Sequence, residues 1–92
     1  MMYVYILTNP GKNVLYTGVT NDLKRRVREH EADRGSSETF TGKYYCNKLI
    51  YYESFDHPRD AIQREKEIKK LSRENKIRLI KKENPKMQFY IL

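Results

Sequence analysis

The apolar positions near the start of the chain predict a β-hairpin. Residues 3–8 form a β-branched and aromatic run, and residues 14–20 resume it after a break of Asn, Pro, Gly, Lys and Asn. Two such runs joined by a short turn are typical of a hairpin, in which Gly11 or the asparagines adopt positive φ. Since both side-chain parities are largely apolar, we expect helices to cover both faces of the sheet.

A first helix follows the hairpin. Thr20 or Asn21 caps it, and Asp22 stands in its first turn, where a carboxylate complements the positive end of the helix dipole. This helix extends to about residue 33. The polar residues 35–38 then predict a flexible loop.

The second half of the chain predicts one strand and two helices. The strand covers residues 48–54. Pro58 opens a second helix that ends near residue 71, and Ser72 caps a third helix that ends at residues 84–85. The order is therefore β-β-α-β-α-α, which is an α+β fold.

Length, charge and cysteine usage restrict the class of protein. Ninety-two residues fit one domain, expected over residues 1–84, with an apolar tail at 85–92 that docks on the body or on another chain. A net charge of +7 favours nucleic acid as a partner. Cys46 is the only cysteine, which excludes an intramolecular disulfide and a cysteine-based zinc site. Because no apolar run approaches membrane-spanning length, we expect a cytoplasmic protein without a membrane partner.

A carboxylate interrupts the apolar face of the second helix. With Ala61 at zero on a helical wheel, Glu65 falls at about 40°, between Ile62 and Ile68. An inward-facing carboxylate is costly to desolvate without a partner. Two interpretations stay open: a structural carboxylate, held in an ion pair or reaching water at the sheet edge, or a ligand for a hard cation such as Mg²⁺.

The first helix carries polar groups beside its buried stripe. Leu23 and Val27 define the stripe, and Arg26 and His30 flank it four residues apart, so they are neighbours on the helix surface. For His30 alone, the pattern favours a helix-end histidine whose ring is satisfied by backbone groups.

Basic residues are concentrated in the second half of the chain. Residues 64–82 hold nine Lys or Arg against three Glu and so carry +6 of the net charge. Such a cluster either binds a phosphate backbone without sequence choice or is a solvated helix surface. The candidate contacts to nucleic acid are Lys69 and Lys70 in this cluster, with Lys24 and Arg25 on the first helix.

Taken in order, these residues resemble the GIY-YIG nuclease superfamily. The resemblance rests on residues 3–5 (Tyr-Val-Tyr), residues 16–18 (Tyr-Thr-Gly), the basic helix at residues 22–30 and Glu65. It covers residues 2 to about 80 and is strongest to small stand-alone members. The sequence departs from the motif where Tyr and Thr replace its glycine and isoleucine, and Asn75 and Asn84 give no secure equivalent of the family's late asparagine.

The resemblance implies a fold and an activity. The fold is a three-stranded antiparallel sheet flanked by helices, and the activity is Mg²⁺-dependent hydrolysis of DNA, with Mn²⁺ as an alternative metal. By position, Tyr5, Tyr16, Arg26 and His30 match catalytic residues, and Glu65 matches the metal ligand. Tyr5 and Tyr16 share one face of the sheet if the hairpin register pairs residues of opposite parity, such as these two.

These roles fit phosphodiester chemistry. Hydrolysis needs an activated water, stabilisation of charge at phosphorus and help for the leaving oxygen. Tyr16, assisted by Tyr5 or His30, would act on the water, and a phenol that titrates near 10 needs a nearby cation to do so at neutral pH. Arg26 matches non-bridging phosphate oxygens. Gly18 leaves room for a backbone or a substrate to approach, and it is therefore also a candidate contact to nucleic acid.

The leading hypothesis is a metal-dependent endonuclease of low sequence specificity, acting in DNA repair or processing, with RNA as an open alternative substrate. The rival is a non-catalytic nucleic-acid-binding domain of the same fold. A third class is an interaction protein that uses residues 85–92 to form a homodimer or bind a protein partner.

Overall fold

The chain folds into a three-stranded antiparallel sheet with four helices around it, and the computed structural model describes all residues 1–92. The strands are β1 (Met2–Thr8), β2 (Leu15–Thr20) and β3 (Lys48–Phe55), and the helices are α1 (Leu23–Ala32), α2 (Phe40–Lys43), α3 (Pro58–Lys70) and α4 (Arg73–Glu83). The α+β class and the predicted elements are confirmed, with the short α2 added between α1 and β3. None of the helices has the length and apolarity needed to cross a membrane.

The central strand β1 pairs with β2 on one side and with β3 on the other. Tyr5 lies opposite Gly18, and Leu7 lies opposite Tyr16. Pairs of opposite parity are thus confirmed, so that Tyr5 and Tyr16 share one face of the sheet. The predicted example, in which Tyr5 lies directly opposite Tyr16, is wrong. The observed register differs from it by two residues, so the two rings lie diagonally across the strand pair.

The β1–β2 turn sets that register with side-chain hydrogen bonds. The Asn9 side-chain oxygen accepts hydrogen bonds from the backbone N–H groups of Asn13 (3.0 Å) and Val14 (3.1 Å). The positive φ in this turn belongs to Lys12 (φ 59°), and not to Gly11 or the asparagines as the sequence predicted. Asn9 is therefore used for its side chain, because an asparagine amide can organise the turn that follows it.

Helices cover both faces of the sheet, as predicted. The first core cluster, on the face of α3 and α4, consists of Val4, Ile6, Ile50, Tyr51, Ala61, Ile68 and Ile80. The second core cluster, on the face of α1, consists of Tyr5, Leu7, Leu23, Cys46 and Leu49. Alternate residues of β1 enter opposite clusters, since successive side chains of a strand point to opposite faces.

A bulge in β3 adjusts the second strand pairing. Ile6 lies opposite Tyr51, but Leu7 lies opposite Leu49, so Ile50 is an extra residue in β3. The bulge lets the consecutive residues Ile50 and Tyr51 both enter the first core cluster, while Leu49 enters the second.

The N-terminal cap of α1 differs from the prediction. Asp22 itself is the N-cap, and its carboxylate accepts a hydrogen bond from the Arg25 backbone N–H at 3.1 Å. Thr20 instead accepts from the Asp22 N–H at 3.1 Å and so holds the residue before the helix. The predicted cap at Ser72 is confirmed, since its hydroxyl accepts from the Asn75 N–H at 3.1 Å.

The segment predicted as a flexible loop is tied to the end of α1. The Gly35 N–H donates to the Gly42 carbonyl at 2.8 Å, and the Thr39 hydroxyl donates to the Asp33 carboxylate at 2.6 Å. A Cβ added at Gly42 would lie 2.6 Å from the Asp33 carbonyl oxygen, so α2 packs directly against this turn. The sequence did not predict α2, because four residues are too few to show a helical period.

The C-terminal tail lies along β3 of the same chain. The Tyr90 N–H donates to the Leu49 carbonyl at 2.7 Å. The Asn84 side-chain amide donates to the carbonyls of Ile50 (2.9 Å) and Gln88 (2.8 Å), and its oxygen accepts from the Gln88 N–H. Asn84 therefore joins the end of α4 to the tail and to the edge strand.

Replacing Asn84 with alanine should destabilise the fold. The buried Ile50 carbonyl would lose its partner, which costs about 1–3 kcal/mol in the free energy of unfolding, measured by urea denaturation. Asn75→Ala is the matched control on the same helix, because its exposed side chain has no hydrogen bond, and we expect a change within about 0.5 kcal/mol. Equal losses in the two variants would contradict the assigned role of Asn84.

Candidate active site

The site begins with Tyr5, whose ring fills the space above Gly18. Tyr5 is only 1% exposed. A Cβ added at Gly18 would lie 2.5 Å from the Tyr5 hydroxyl oxygen and 2.6 Å from Cζ. The close approach that the sequence assigned to nucleic acid at Gly18 is therefore made by Tyr5. Gly18 is buried, and its role is to admit this ring.

Tyr5 connects the sheet to α1 through His30. The Tyr5 hydroxyl lies 3.0 Å from His30 Nε2, and the Thr41 hydroxyl lies 3.1 Å from Nδ1. The expected backbone partners of His30 are wrong, because both ring nitrogens contact side-chain hydroxyls. Burial, together with the Arg26 guanidinium, lowers the pKa of His30, so its ring is neutral at neutral pH. A neutral ring carries one N–H, so at least one hydroxyl donates to it.

A cavity of about 420 Å³ opens beside the contacts that His30 makes with Tyr5 and Thr41. It is lined by Tyr16, Arg26, Glu29, His30, Asp33, Thr39, Phe40 and Thr41. Three of the four predicted catalytic residues therefore line one cavity. The fourth, Tyr5, is buried behind it and contacts the others through His30.

Arg26 provides the positive charge of the cavity. Its guanidinium donates to the Glu29 carboxylate at 2.9 Å, and this hydrogen bond raises the pKa of Arg26. The Arg26 side chain is 42% exposed, and an exposed ion pair of this kind contributes little free energy. The guanidinium can therefore exchange Glu29 for an incoming phosphate at small cost.

The two tyrosines have different environments. Burial raises the pKa of Tyr5, and the nearby Arg26 only partly offsets this, while Tyr16 and Glu65 raise the pKa further. Tyr5 is therefore a neutral hydroxyl in the resting protein. Tyr16 is partly exposed and lines the cavity, with its ring centroid 5.6 Å from that of His30. Tyr16 is the phenol that can meet a substrate.

Glu65 faces inward from α3, as its helical position predicted. Its side chain is 16% exposed, and its only ion pair joins it to Lys69 Nζ, 3.3 Å away on the same helix. The carboxylate lies near enough to Tyr5 to raise its pKa. Ile62 is exposed, however, so the apolar face of α3 is centred on Ala61 and Ile68.

The environment of Glu65 fits a hard cation. Its mostly buried carboxylate has one partner, a lysine on an exposed stem, which leaves oxygen lone pairs free. No three His, Cys, Asp or Glu side chains surround a common point, so at most one such side chain besides Glu65 could share a cation here. Mg²⁺ keeps several of its waters and is often held by one or two carboxylates.

The basic candidates lie outside the cavity. Lys24 lines a separate depression with Tyr3, and Arg25 is exposed, 3.9 Å from Glu29. Lys69 pairs with Glu65, and Lys70 lies exposed in the last turn of α3. In the basic cluster of α3 and α4, six cations have no carboxylate partner: Lys66, Lys70, Arg73, Lys76, Lys81 and Lys82. Their charge is available to a polyanion.

Sequence reasoning missed five of the eight cavity residues: Glu29, Asp33, Thr39, Phe40 and Thr41. Thr41 and Phe40 belong to α2, for which the sequence has no periodic signal, and Thr41 is eleven residues from the histidine it contacts. Glu29 could have been found, because it stands three residues after Arg26 on a predicted helix, a spacing at which opposite charges pair.

Comparison with known proteins agrees with this geometry. Residues 1–78 match the family described as the GIY-YIG catalytic domain. The chain belongs to the GIY-YIG family. Its relatives include a UPF0213 protein of Clostridium perfringens, 40% identical over 98% of this chain and 94% of that protein, and one of Natronomonas pharaonis, 44% identical over 85% and 88%.

A solved structure shares the fold. The solution structure of a UPF0213 protein from Bacillus halodurans is 31% identical to this GIY-YIG domain, with a TM-score of 0.57 over 94% of this chain and 89% of that one. The resemblance noted from the sequence and the α+β fold with a three-stranded antiparallel sheet are thus confirmed. Family membership indicates a nuclease-like function, for which nucleic acid is the corresponding substrate class.

Gly18→Ala should disturb the site and the core together. The new methyl would overlap the Tyr5 ring, which is enclosed and cannot move aside, so we expect a loss of about 1–3 kcal/mol in unfolding free energy by urea denaturation. Gly11→Ala is the control, since a Cβ there meets its nearest atom at 3.6 Å. If Gly18→Ala were as stable as Gly11→Ala, the packing of Tyr5 on Gly18 would be wrong.

Proposed function

We propose that this GIY-YIG domain is a metal-dependent endonuclease that hydrolyses DNA phosphodiester bonds with little sequence preference. The observation that supports it is the convergence of Tyr16, Arg26 and His30 on one cavity. Glu65 does not line the cavity, but its carboxylate raises the pKa of the Tyr5 hydroxyl that contacts His30, which supports including it in the proposal.

Arg26 binds the scissile phosphate. A guanidinium matches two non-bridging oxygens with parallel hydrogen bonds and keeps its charge at any physiological pH. As negative charge develops on those oxygens in the pentavalent transition state, the interaction strengthens, which lowers the barrier. Glu29 holds the guanidinium in position before the substrate arrives.

Tyr16 acts on the attacking water. Its ring lines the cavity together with Arg26, and only a phenolate can take a proton from the water. Tyr16 takes a proton as the water oxygen bonds to phosphorus, the bond from phosphorus to the 3′ oxygen breaks, and solvent returns a proton to that oxygen. Tyr5 and His30 are positioning residues, because the buried Tyr5 hydroxyl and Thr41 fix the imidazole that packs against Tyr16.

Glu65 would hold the metal ion. When bound, Mg²⁺ or Mn²⁺ supplies positive charge for the phosphoryl oxygens and for the departing 3′ oxygen. The single carboxylate, with its one exposed ammonium partner, is the donor that this chain offers.

The unpaired cations of α3 and α4 supply affinity for the phosphate backbone without reading bases. The three longer helices pack on the single sheet and α2 packs on the end of α1, so none of the four helices stands apart as a DNA-reading module. Low sequence preference fits a role in DNA repair or processing, in which structure and not sequence marks the target.

Glu65→Gln should abolish metal-dependent cleavage while it preserves the shape of the side chain. We expect plasmid or branched-DNA cleavage in Mg²⁺ to fall by about 100-fold or more, because the several kcal/mol of charge stabilisation from the metal are lost. DNA binding measured without metal should be unchanged. Glu67→Gln on the exposed side of the same helix is the matched control and should retain activity. Equal cleavage by wild type and Glu65→Gln would refute the metal role.

Arg26→Ala should cost far more turnover than Arg25→Ala. Both remove one positive charge from α1, but only Arg26 lines the cavity, so we expect a loss of about 100-fold for Arg26→Ala and less than about threefold for Arg25→Ala in single-turnover cleavage. Equal losses in the two variants would mean that Arg26 contributes only general positive charge and does not bind the scissile phosphate. Salt-sensitive DNA binding without cleavage in Mg²⁺ or Mn²⁺ would favour the non-catalytic binding domain instead.

A further inference from the structure

A continuous row of rings runs outward from the buried end of the site. Successive ring centroids are 5.9 Å apart from Tyr5 to His30, 5.6 Å from His30 to Tyr16, 6.1 Å from Tyr16 to Phe40 and 4.8 Å from Phe40 to Tyr44. The planes of Tyr16 and Phe40 differ by only 29°, so these two rings are stacked. The row therefore leads from the catalytic cavity to the rings of Phe40 and Tyr44.

The outer rings of the row are exposed. Phe40 is 50% exposed and Tyr44 is 42% exposed, although Phe40 lines the cavity itself. Single exposed apolar residues are common, but adjacent exposed aromatic rings at the mouth of a cavity are typical of a binding surface. Neither the fold nor the proposed hydrolysis requires them to be aromatic.

The two rings are held rigidly. They belong to α2 and its C-cap, and Gly42 between them packs so closely on the end of α1 that a Cβ would lie 2.6 Å from the Asp33 carbonyl oxygen. The Thr39 hydroxyl also ties the start of α2 to the Asp33 carboxylate. A surface fixed in this way binds a flat ligand with little ordering cost.

Positive charge accompanies the rings. Lys43 Nζ lies 5.6 Å from the centroid of the Tyr44 ring, and Arg26 lies in the wall of the same cavity. Aromatic faces interleaved with cations are the combination that binds single-stranded nucleic acid, in which bases stack on the rings and cations follow the backbone. In a duplex the base faces are covered by neighbouring pairs and only the edges are accessible.

We propose that Phe40 and Tyr44 form a base-stacking platform for single-stranded nucleic acid, which places unpaired bases beside the phosphate that the cavity receives. This inference rests on the proposed function and narrows it to substrates with a single-stranded segment, such as flaps, bulges or free strands. A neighbouring protein surface is the competing occupant, and the experiment below separates the two.

The test measures affinity without cleavage. Fluorescence anisotropy in the absence of divalent metal compares labelled single-stranded DNA, single-stranded RNA and a blunt DNA duplex of the same sequence. We expect wild type to bind a single strand more tightly than the duplex. Comparison of the single-stranded DNA and RNA shows which of the two nucleic acids it prefers. Phe40→Leu should weaken single-strand binding at least fivefold and leave duplex binding unchanged, because leucine is apolar but offers no π-face.

Phe89→Leu is the matched control. Phe89 is a partly exposed phenylalanine with a lysine, Lys12, 5.1 Å from its ring, but it does not line the cavity. This variant should bind single strands as wild type does. Phe40→Trp should retain binding and, since the chain has no other tryptophan, should report stacking through quenching of its fluorescence by single strands.

Equal affinity for single strands and duplex, or equal losses in Phe40→Leu and Phe89→Leu, would overturn the platform. So would unchanged single-strand binding by Phe40→Leu combined with a change of oligomeric state in light scattering, which would make the patch a protein interface. Phe40-dependent binding of single strands by a chain that cuts nothing would support the platform and refute the nuclease. If single strands and duplex were cleaved equally well and Phe40→Leu had no effect, the nuclease would be supported and the platform refuted.

Discussion

The buried contact between the Tyr5 hydroxyl and the His30 ring joins the central strand to α1, and the remaining groups of the site take their positions from it. A polar pair that is fully removed from water destabilises the fold if either partner is lost, so this contact fixes the angle and depth at which α1 lies on the sheet. Gly18 makes the arrangement possible by leaving space for the Tyr5 ring. Thr41 completes it by occupying the second ring nitrogen, which also binds α2 to α1.

The two faces of the sheet have different tasks. The face of α3 and α4 holds the first core cluster and supplies much of the apolar burial. On the face of α1, part of the interior consists of polar contacts among Tyr5, His30 and Thr41. The cavity lies beside these contacts. Glu65 comes from α3 and does not line the cavity, but its carboxylate raises the pKa of Tyr5 across the sheet. This division lets the chain maintain a polar site with a thin core.

Much of the fold was predictable, because it follows from short-range patterns of apolar and polar residues in the sequence. The hairpin, β3 and the three longer helices follow from apolar periodicity and from turn and cap residues such as Ser72. The inward orientation of Glu65 follows from the same helical period that buries Ala61 and Ile68. The order of Tyr, Arg, His and Glu along the chain indicated the family before any contact was known.

The amino-acid sequence by itself determined the three strands and the three longer helices, the buried side of each and the chemical groups that are available. Only the tertiary structure decided that Tyr5 pairs with Gly18, that Thr41 meets His30, and that Phe40 extends the ring row to the surface. The physical reason is the sequence separation of the groups involved. Periodicity indicates which side of a single helix or strand is buried. Strand register and contacts between distant segments depend instead on how the packed elements fit together.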